Sequence, residues 1–76
     1  MGELGSVHWK KFEKFLFAIG CQFKREKGDH RVYTKQGLLR PVVIPRDKNL
    51  PAFVILNNLR ILGISKDEYL RMLKGL

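Results

Sequence analysis

One histidine stands inside the densest run of positive charge in the chain. Lys27-Gly28-Asp29-His30-Arg31 follows directly on Lys24, Arg25 and Glu26, and Lys35 comes shortly after. Imidazole both accepts and donates a proton near neutral pH, which suits it to general acid–base work. Cations around it suit a phosphate. Cleavage of RNA needs little else. RNA carries its own nucleophile, the 2′-hydroxyl, so an enzyme has only to take that proton, align the attack and stabilise charge on the phosphorus oxygens. His30 is the candidate base, and Lys24, Lys27 or Arg31 the candidate phosphate holder. The product would be a 2′,3′-cyclic phosphate, with no metal required. Tyr33, water and His30 itself all stand as candidates for the leaving-group acid. A histidine beside a turn on a basic surface also fits a non-catalytic RNA-binding module, which needs the phosphate contacts alone.

Other chemistries find no footing. One cysteine and two distant histidines give no zinc-ligand spacing, and no glycine-rich phosphate loop precedes a helix. Paired carboxylates are missing near the turn, where Asp29 is the one acid at the tip. Neither a metal nor a cofactor is expected.

The charge balance points the same way. The 76 residues carry a net charge of +8. Between Lys24 and Lys48 there are eight basic residues, with Arg40, Arg46 and Lys48 completing the set, against Glu26, Asp29 and Asp47. That leaves +5 in one third of the chain, a patch suited to a polyanion because neutralised phosphates release counterions. Lys24, Arg25, Lys27, the backbone at Gly28, Arg31, Lys35, Arg46 and Lys48 are the expected RNA contacts. Their placement on strands and loops, rather than on a basic amphipathic helix, argues against a membrane surface.

One domain over residues 6–74 is expected, after a flexible tail at 1–5. Met1-Gly2 with Ser6 formally fits an acylation pattern, but nothing else in the chain asks for a lipid. A chain this short buries only about 60% of its unfolded surface, so a partner or a second copy (a homodimer) would help its core. Cys21 is alone and cannot form an internal disulfide. With no secretory pattern and no apolar run near the ~20 residues of a membrane span, the expectation is a soluble cytoplasmic protein.

Apolar periodicity supplies the elements that position the histidine. Ser6 is placed to cap a first helix that runs to about Ile19 and stops at Gly20. Its apolar stripe is Trp9, Phe12, Phe15, Leu16 and Ile19, with Lys10, Lys11, Glu13 and Lys14 opposite. His8 falls at the boundary of the first turn, and Phe17 projects among the lysines. Three strands follow at Cys21–Glu26, His30–Lys35 and Leu38–Ile44. Short turns at Gly28-Asp29 and Gln36-Gly37 make them an antiparallel meander with the His30 strand in the centre, and Pro41 suits an edge. Alternation separates His30, Val32 and Thr34 from Arg31, Tyr33 and Lys35 without deciding whether Val32 or Tyr33 faces the core. Pro51 opens a second helix that Gly63 ends, with Ala52, Ile55, Leu56, Leu59 and Leu62 expected against the sheet. Its far side carries Phe53, Val54 and Ile61, too apolar for a solvated face. Either a last helix, capped by Ser65 with Glu68, folds over it, or these three residues dock another protein. The expected fold is α+β in the order α-β-β-β-α, a three-stranded antiparallel sheet with helices on one face and a short C-terminal helix.

The chain resembles the HicA (YcfA-like) toxins of toxin–antitoxin pairs over roughly Ser6 to Leu73. The likeness rests on a first helix ending in Gly20, then Gly28-x-His30 opening the central strand. It continues through Val42-Val43-Ile44-Pro45, the Leu50-Pro51 helix start, Leu62-Gly63-Ile64-Ser65 and Glu68-Tyr69-Leu70. The resemblance implies a double-stranded-RNA-binding-like fold, mRNA interferase activity with His30 as the catalytic histidine, and a HicB-type antitoxin as partner. Asp29 stands where the family usually has serine, and a carboxylate there favours the imidazolium. The second helix runs Ala52-Phe53-Val54-Ile55 where the family is more polar after its proline, which would tighten an apolar partner contact.

Overall fold

The structure, a computed structural model, describes residues 5–76. Met1-Gly2 of the acylation pattern and all but the last residue of the expected tail lie outside those residues. The elements are α1 (Trp9–Ala18), β1 (Gln22–Lys27), β2 (His30–Thr34), β3 (Val42–Pro45), α2 (Ala52–Leu62) and α3 (Lys66–Lys74). The strands are antiparallel in the order β1-β2-β3, which puts the His30 strand in the centre as expected.

Helix α1 begins later than the Ser6 signal implies. Leu50 N–H donates to the Val7 carbonyl (2.8 Å) and Trp9 N–H to the Asp47 carbonyl (3.1 Å), so the incoming chain is held extended as a short bridge. His8 caps the helix instead, with Nδ1 accepting from Lys10 N–H at 3.1 Å. Ser6 Oγ lies 3.5 Å from Asn49 Oδ1. At the other end Gly20, with φ of 98°, turns the chain so that Cys21 N–H reaches the Leu16 carbonyl at 2.9 Å. A side chain at that φ would be strained.

The core lies between the helices and one face of the sheet. Phe12, Phe15 and Leu16 of α1 meet Tyr33, Val42 and Ile44 of the sheet, Ile55 and Leu59 of α2, and Tyr69 of α3. Tyr33, not Val32, is therefore the core residue of β2. Cys21 is buried at the edge of this cluster, and burial pushes its thiol above the ordinary range.

Strand β3 is shorter than its apolar run suggests. Leu38 N–H closes a turn onto the Lys35 carbonyl (3.1 Å), Leu39 is fully exposed, and pairing starts at Val42. Pro41 restricts the backbone of Arg40 before it, and the strand begins just after the proline. On α2 the inner stripe is Ile55, Asn58 and Leu59, while Leu56 is left exposed. Buried Asn58 uses Nδ2 to donate to the Val43 carbonyl (3.2 Å) and the Val54 carbonyl (3.0 Å), joining the helix to the β3 edge. Ser65 caps α3 as expected, its Oγ accepting from Glu68 N–H at 3.1 Å. Helix α3 packs on both α1 and α2, and Tyr69 meets Phe15 edge-on at 4.9 Å. None of the described helices is long and apolar enough to cross a membrane.

The two core tyrosines make stability fall in alkali. Burial, aided by a bond to the Glu13 carboxylate, pushes the Tyr33 phenol up to about 12, and burial alone pushes Tyr69 to about 12. An unfolded phenol ionises near its ordinary value of 10 while the folded one stays neutral. The stabilisation is thus complete below pH 10 and is lost as pH rises through the folded values. The unfolding free energy from urea titrations across that window should drop by up to roughly 2–3 kcal/mol per tyrosine, with the midpoint falling in step. A midpoint that stays flat there would contradict the burial of both phenols.

Candidate active site

Two-residue periodicity on β2 decides what the site contains. Tyr33 points to the helices, so Arg31 does too, and His30 and Val32 point the other way. Pairing carries the same division across the sheet. Lys27 lies opposite His30, Arg25 opposite Val32, and on the far side Pro45 opposes His30 and Val43 opposes Val32. The open face thus gathers Arg25, Lys27 and His30 over a floor of Val32 and Val43. A bulge between Phe23 and Arg25 takes up Lys24 as an extra residue, which brings Arg25 and Lys27 onto that face.

His30 itself is held by a tight turn. Gly28 takes φ of 61° while Asp29 does not go positive, the pattern of a II′ hairpin. Asp29 Oδ1 sits 2.9 Å from His30 Nδ1, and both side chains are more than half exposed. The carboxylate stands against Nδ1, which leaves Nε2 without a partner among the described residues. Arg46 N–H donates to the Asp29 carbonyl at 2.8 Å, tying the turn to the end of β3.

Arg31 has a different place from the one its neighbourhood in sequence suggests. Its guanidinium reaches Glu13 Oε2 at 2.8 Å and Glu26 Oε1 at 2.9 Å, and its Nε donates to the Tyr33 hydroxyl at 3.0 Å. Those bonds, with Tyr33 first and then the two carboxylates, push its pKa up. The Phe23 ring lies 4.1 Å below it and Trp9 5.2 Å away. The Tyr33 hydroxyl in turn donates to Glu13 on the helix side. Arg31 and Tyr33 are committed to the fold on the face away from His30, so Tyr33 has no access to a leaving group lying against the imidazole. Glu13 was expected among the solvated lysines, yet it sits one turn beyond Trp9 on the flank of the apolar stripe. That flank is close enough for a carboxylate to meet the sheet.

A groove of about 830 Å³ runs from His30 between β3 and α2. Val43, Val54, Asn58 and Ile61 line its base, and Phe53, Asn57, Arg60 and Arg40 stand around it, with Asp47 as its one acid. Phe53 is 65% exposed. The three residues expected to dock a partner, Phe53, Val54 and Ile61, thus share one groove with the histidine. Arg40 and Arg60 have no carboxylate partner among the described residues. Sequence reading did not single them out as site residues. The spacing of Phe53, Asn57 and Arg60, one and two turns apart on α2, signals Arg60; nothing local signals Arg40.

The remaining expected contacts spread out. Gly28 shapes the hairpin turn. Lys24 and Lys35 border a hollow toward the other end of the sheet. Arg46 reaches Glu26 Oε2 at 3.5 Å, and Lys48 is exposed in the loop before α2. Phe17 and Phe23 are partly exposed, both edge-on to Tyr33 and so on the helix side of the sheet.

A helix-covered, three-stranded antiparallel sheet whose open face carries a basic cluster and an accessible histidine defines a small α+β domain with a positively charged face. The family model for the HicA toxin of bacterial toxin–antitoxin systems matches residues 9–64, well over half the chain, and the chain belongs to that family. HicA toxins are generally mRNA interferases, and the family implies RNA targets and a cognate HicB antitoxin. No curated protein matches the chain.

Division of the basic residues between the two faces is open to direct test. Glu13→Ala should cost about 1–3 kcal/mol in urea unfolding, because it strips a partner from the Tyr33 hydroxyl and from Arg31. Arg31→Ala should likewise lower stability while leaving the salt dependence of RNA binding unchanged, whereas Lys27→Ala should make that dependence shallower. An Arg31→Ala protein of full stability with a flattened salt slope would reverse this assignment.

Proposed function

We propose that this chain is a metal-independent endoribonuclease, an mRNA interferase acting in the cytoplasm, with His30 as its general base. The observation that carries the reading is the exposed imidazole, with Asp29 against its Nδ1 and with Lys27 and Arg25 on the same face of the sheet. With RNA laid on the open face, Nε2 takes the 2′-hydroxyl proton and the 2′-oxygen attacks the adjoining phosphorus. Lys27, Arg25 and the backbone at Gly28 hold the phosphate and offset the charge that builds on its oxygens. The bond to the 5′-oxygen breaks, leaving a 2′,3′-cyclic phosphate. The imidazolium, or a water beside it, returns the proton to the departing 5′-oxygen. Lys24, Lys35, Arg46 and Lys48 extend the positive surface along which the strand approaches. A HicB-type antitoxin seated on Phe53, Val54 and Ile61 would cover His30 at the same time.

A second reading draws on the same Asp29 contact. With Asp29 beside it on the open face, His30 would serve a non-catalytic RNA-binding module as one more polar contact to phosphate next to Lys27 and Arg25. Incubation of purified protein with mRNA separates the two. Cleavage to 2′,3′-cyclic ends should fall by about 10²–10⁴-fold in His30→Ala, and by less in Asp29→Asn, which keeps the turn but loosens the hold on Nδ1. Identical fragments from wild type and His30→Ala would rule out the mechanism; intact RNA with strong, salt-sensitive binding would favour the binding module.

A further inference from the structure

We infer that the groove between β3 and α2 is a subsite for one unstacked ribonucleotide next to the scissile phosphate. Its base lies on Phe53, Asn57 reads the base edge, and Arg60 and Arg40 hold the phosphate beyond. The inference rests on the reading of His30 as the cleaving residue only for the place of this nucleotide in the reaction.

Four observations converge on it. Phe53 presents its ring to solvent on the first turn of α2, where nothing in the fold requires an aromatic. An apolar base made by Val43, Val54 and Ile61 accepts a flat ring, and the groove volume lies inside the ~300–1,000 Å³ common for small-ligand sites. Arg40 and Arg60 line the groove and have no carboxylate partner among the described residues, while Arg31 is paired with Glu13 and Glu26, so positive charge is left over where a phosphate chain would run. Finally, the groove opens directly at His30, continuous with Lys27 and Arg25 on the open sheet face.

The same geometry disfavours an added protein strand. The Val43 carbonyl on the outer side of β3 already accepts from Asn58 Nδ2, and Pro45 has no N–H to offer. A strand laid along this edge finds no ladder to join. An aromatic flanked by unpaired arginines is instead the equipment of single-strand recognition, in which bases stack on side chains and cations track the backbone. Duplex RNA keeps its bases stacked on one another and cannot use Phe53 in this way.

Binding is measured on the His30→Ala protein, so that the RNA stays intact and the outcome does not depend on who performs the cleavage. The probe is a short fluorescent single-stranded oligoribonucleotide, read by anisotropy across a salt series, with a duplex of the same sequence alongside. Phe53→Ala should weaken single-strand binding roughly 5- to 150-fold, leave the duplex unaffected, and be rescued by Phe53→Trp. Arg60→Ala and Arg40→Ala should each lower the salt slope by about 0.7. In the wild-type background Phe53→Ala should raise KM more than it lowers kcat. Unchanged single-strand affinity in Phe53→Ala would overturn the subsite and leave the groove to a protein partner. Equal losses on single strand and duplex would overturn it as well, because the effect would then not be stacking.

Discussion

Parity along β2 is the constraint on which the rest of the structure depends. A residue at Tyr33 that must lie in the core forces Arg31 to the same side and sends His30 to the other. Once Arg31 is inside, its charge has to be met, and Glu13 from α1 and Glu26 from β1 meet it while the Tyr33 hydroxyl shares the same carboxylate. This cluster therefore fixes register as well as balancing charge. A slip of one residue would turn Val32 and His30 toward the helices in place of Tyr33 and Arg31, would leave Glu13 without either partner, and would strand the tyrosine in water. The exposed histidine is thus a consequence of the buried tyrosine.

Holding the histidine still is the work of the chain on either side of the sheet. The turn at Gly28-Asp29 is closed by the Lys27–His30 pair and bonded to Arg46, and the loop after β3 is in turn bonded to Val7 and Trp9 at the start of α1. Turn, strand end and helix start are therefore one connected unit. Such a site sits on a scaffold with little freedom to shift, which matters because a proton transfer needs its partners within hydrogen-bond reach.

The net positive charge divides into two populations with different roles. Arg31 is spent on architecture, and Arg46 leans on Glu26. Arg25 and Lys27 on the sheet, and Arg40 and Arg60 at the groove, carry no such commitment among the described residues. Substrate and antitoxin are both proposed to reach the same hollow beside His30. Under those proposals inhibition is simple occupancy: a protein that fills the groove leaves no room for a nucleotide, and no conformational change need be transmitted.

How much of this was legible beforehand depends on the range of the interaction involved. Local signals were read correctly. Gly28-Asp29 made the hairpin, Gly20 and Gly63 ended their helices, Ser65 capped α3, and the short turns put the His30 strand in the centre. The signals that misled were local too. Ser6 lost its cap to a distant contact, because the bridge to Leu50 keeps the chain extended through Val7, and Leu38 to Pro41 stayed out of the sheet where a turn closes Leu38 onto Lys35. Sequence alone determined the order of elements, the turn that carries the histidine and the excess of positive charge, because each follows from neighbours a few residues apart. Only the tertiary structure decided that Tyr33 rather than Val32 enters the core, that Arg31 is consumed by Glu13, and that Arg40 and Arg60 converge on one groove with Phe53. Those outcomes turn on which face of a strand or helix is covered by segments far away in the chain, and periodicity specifies faces without saying what will cover them.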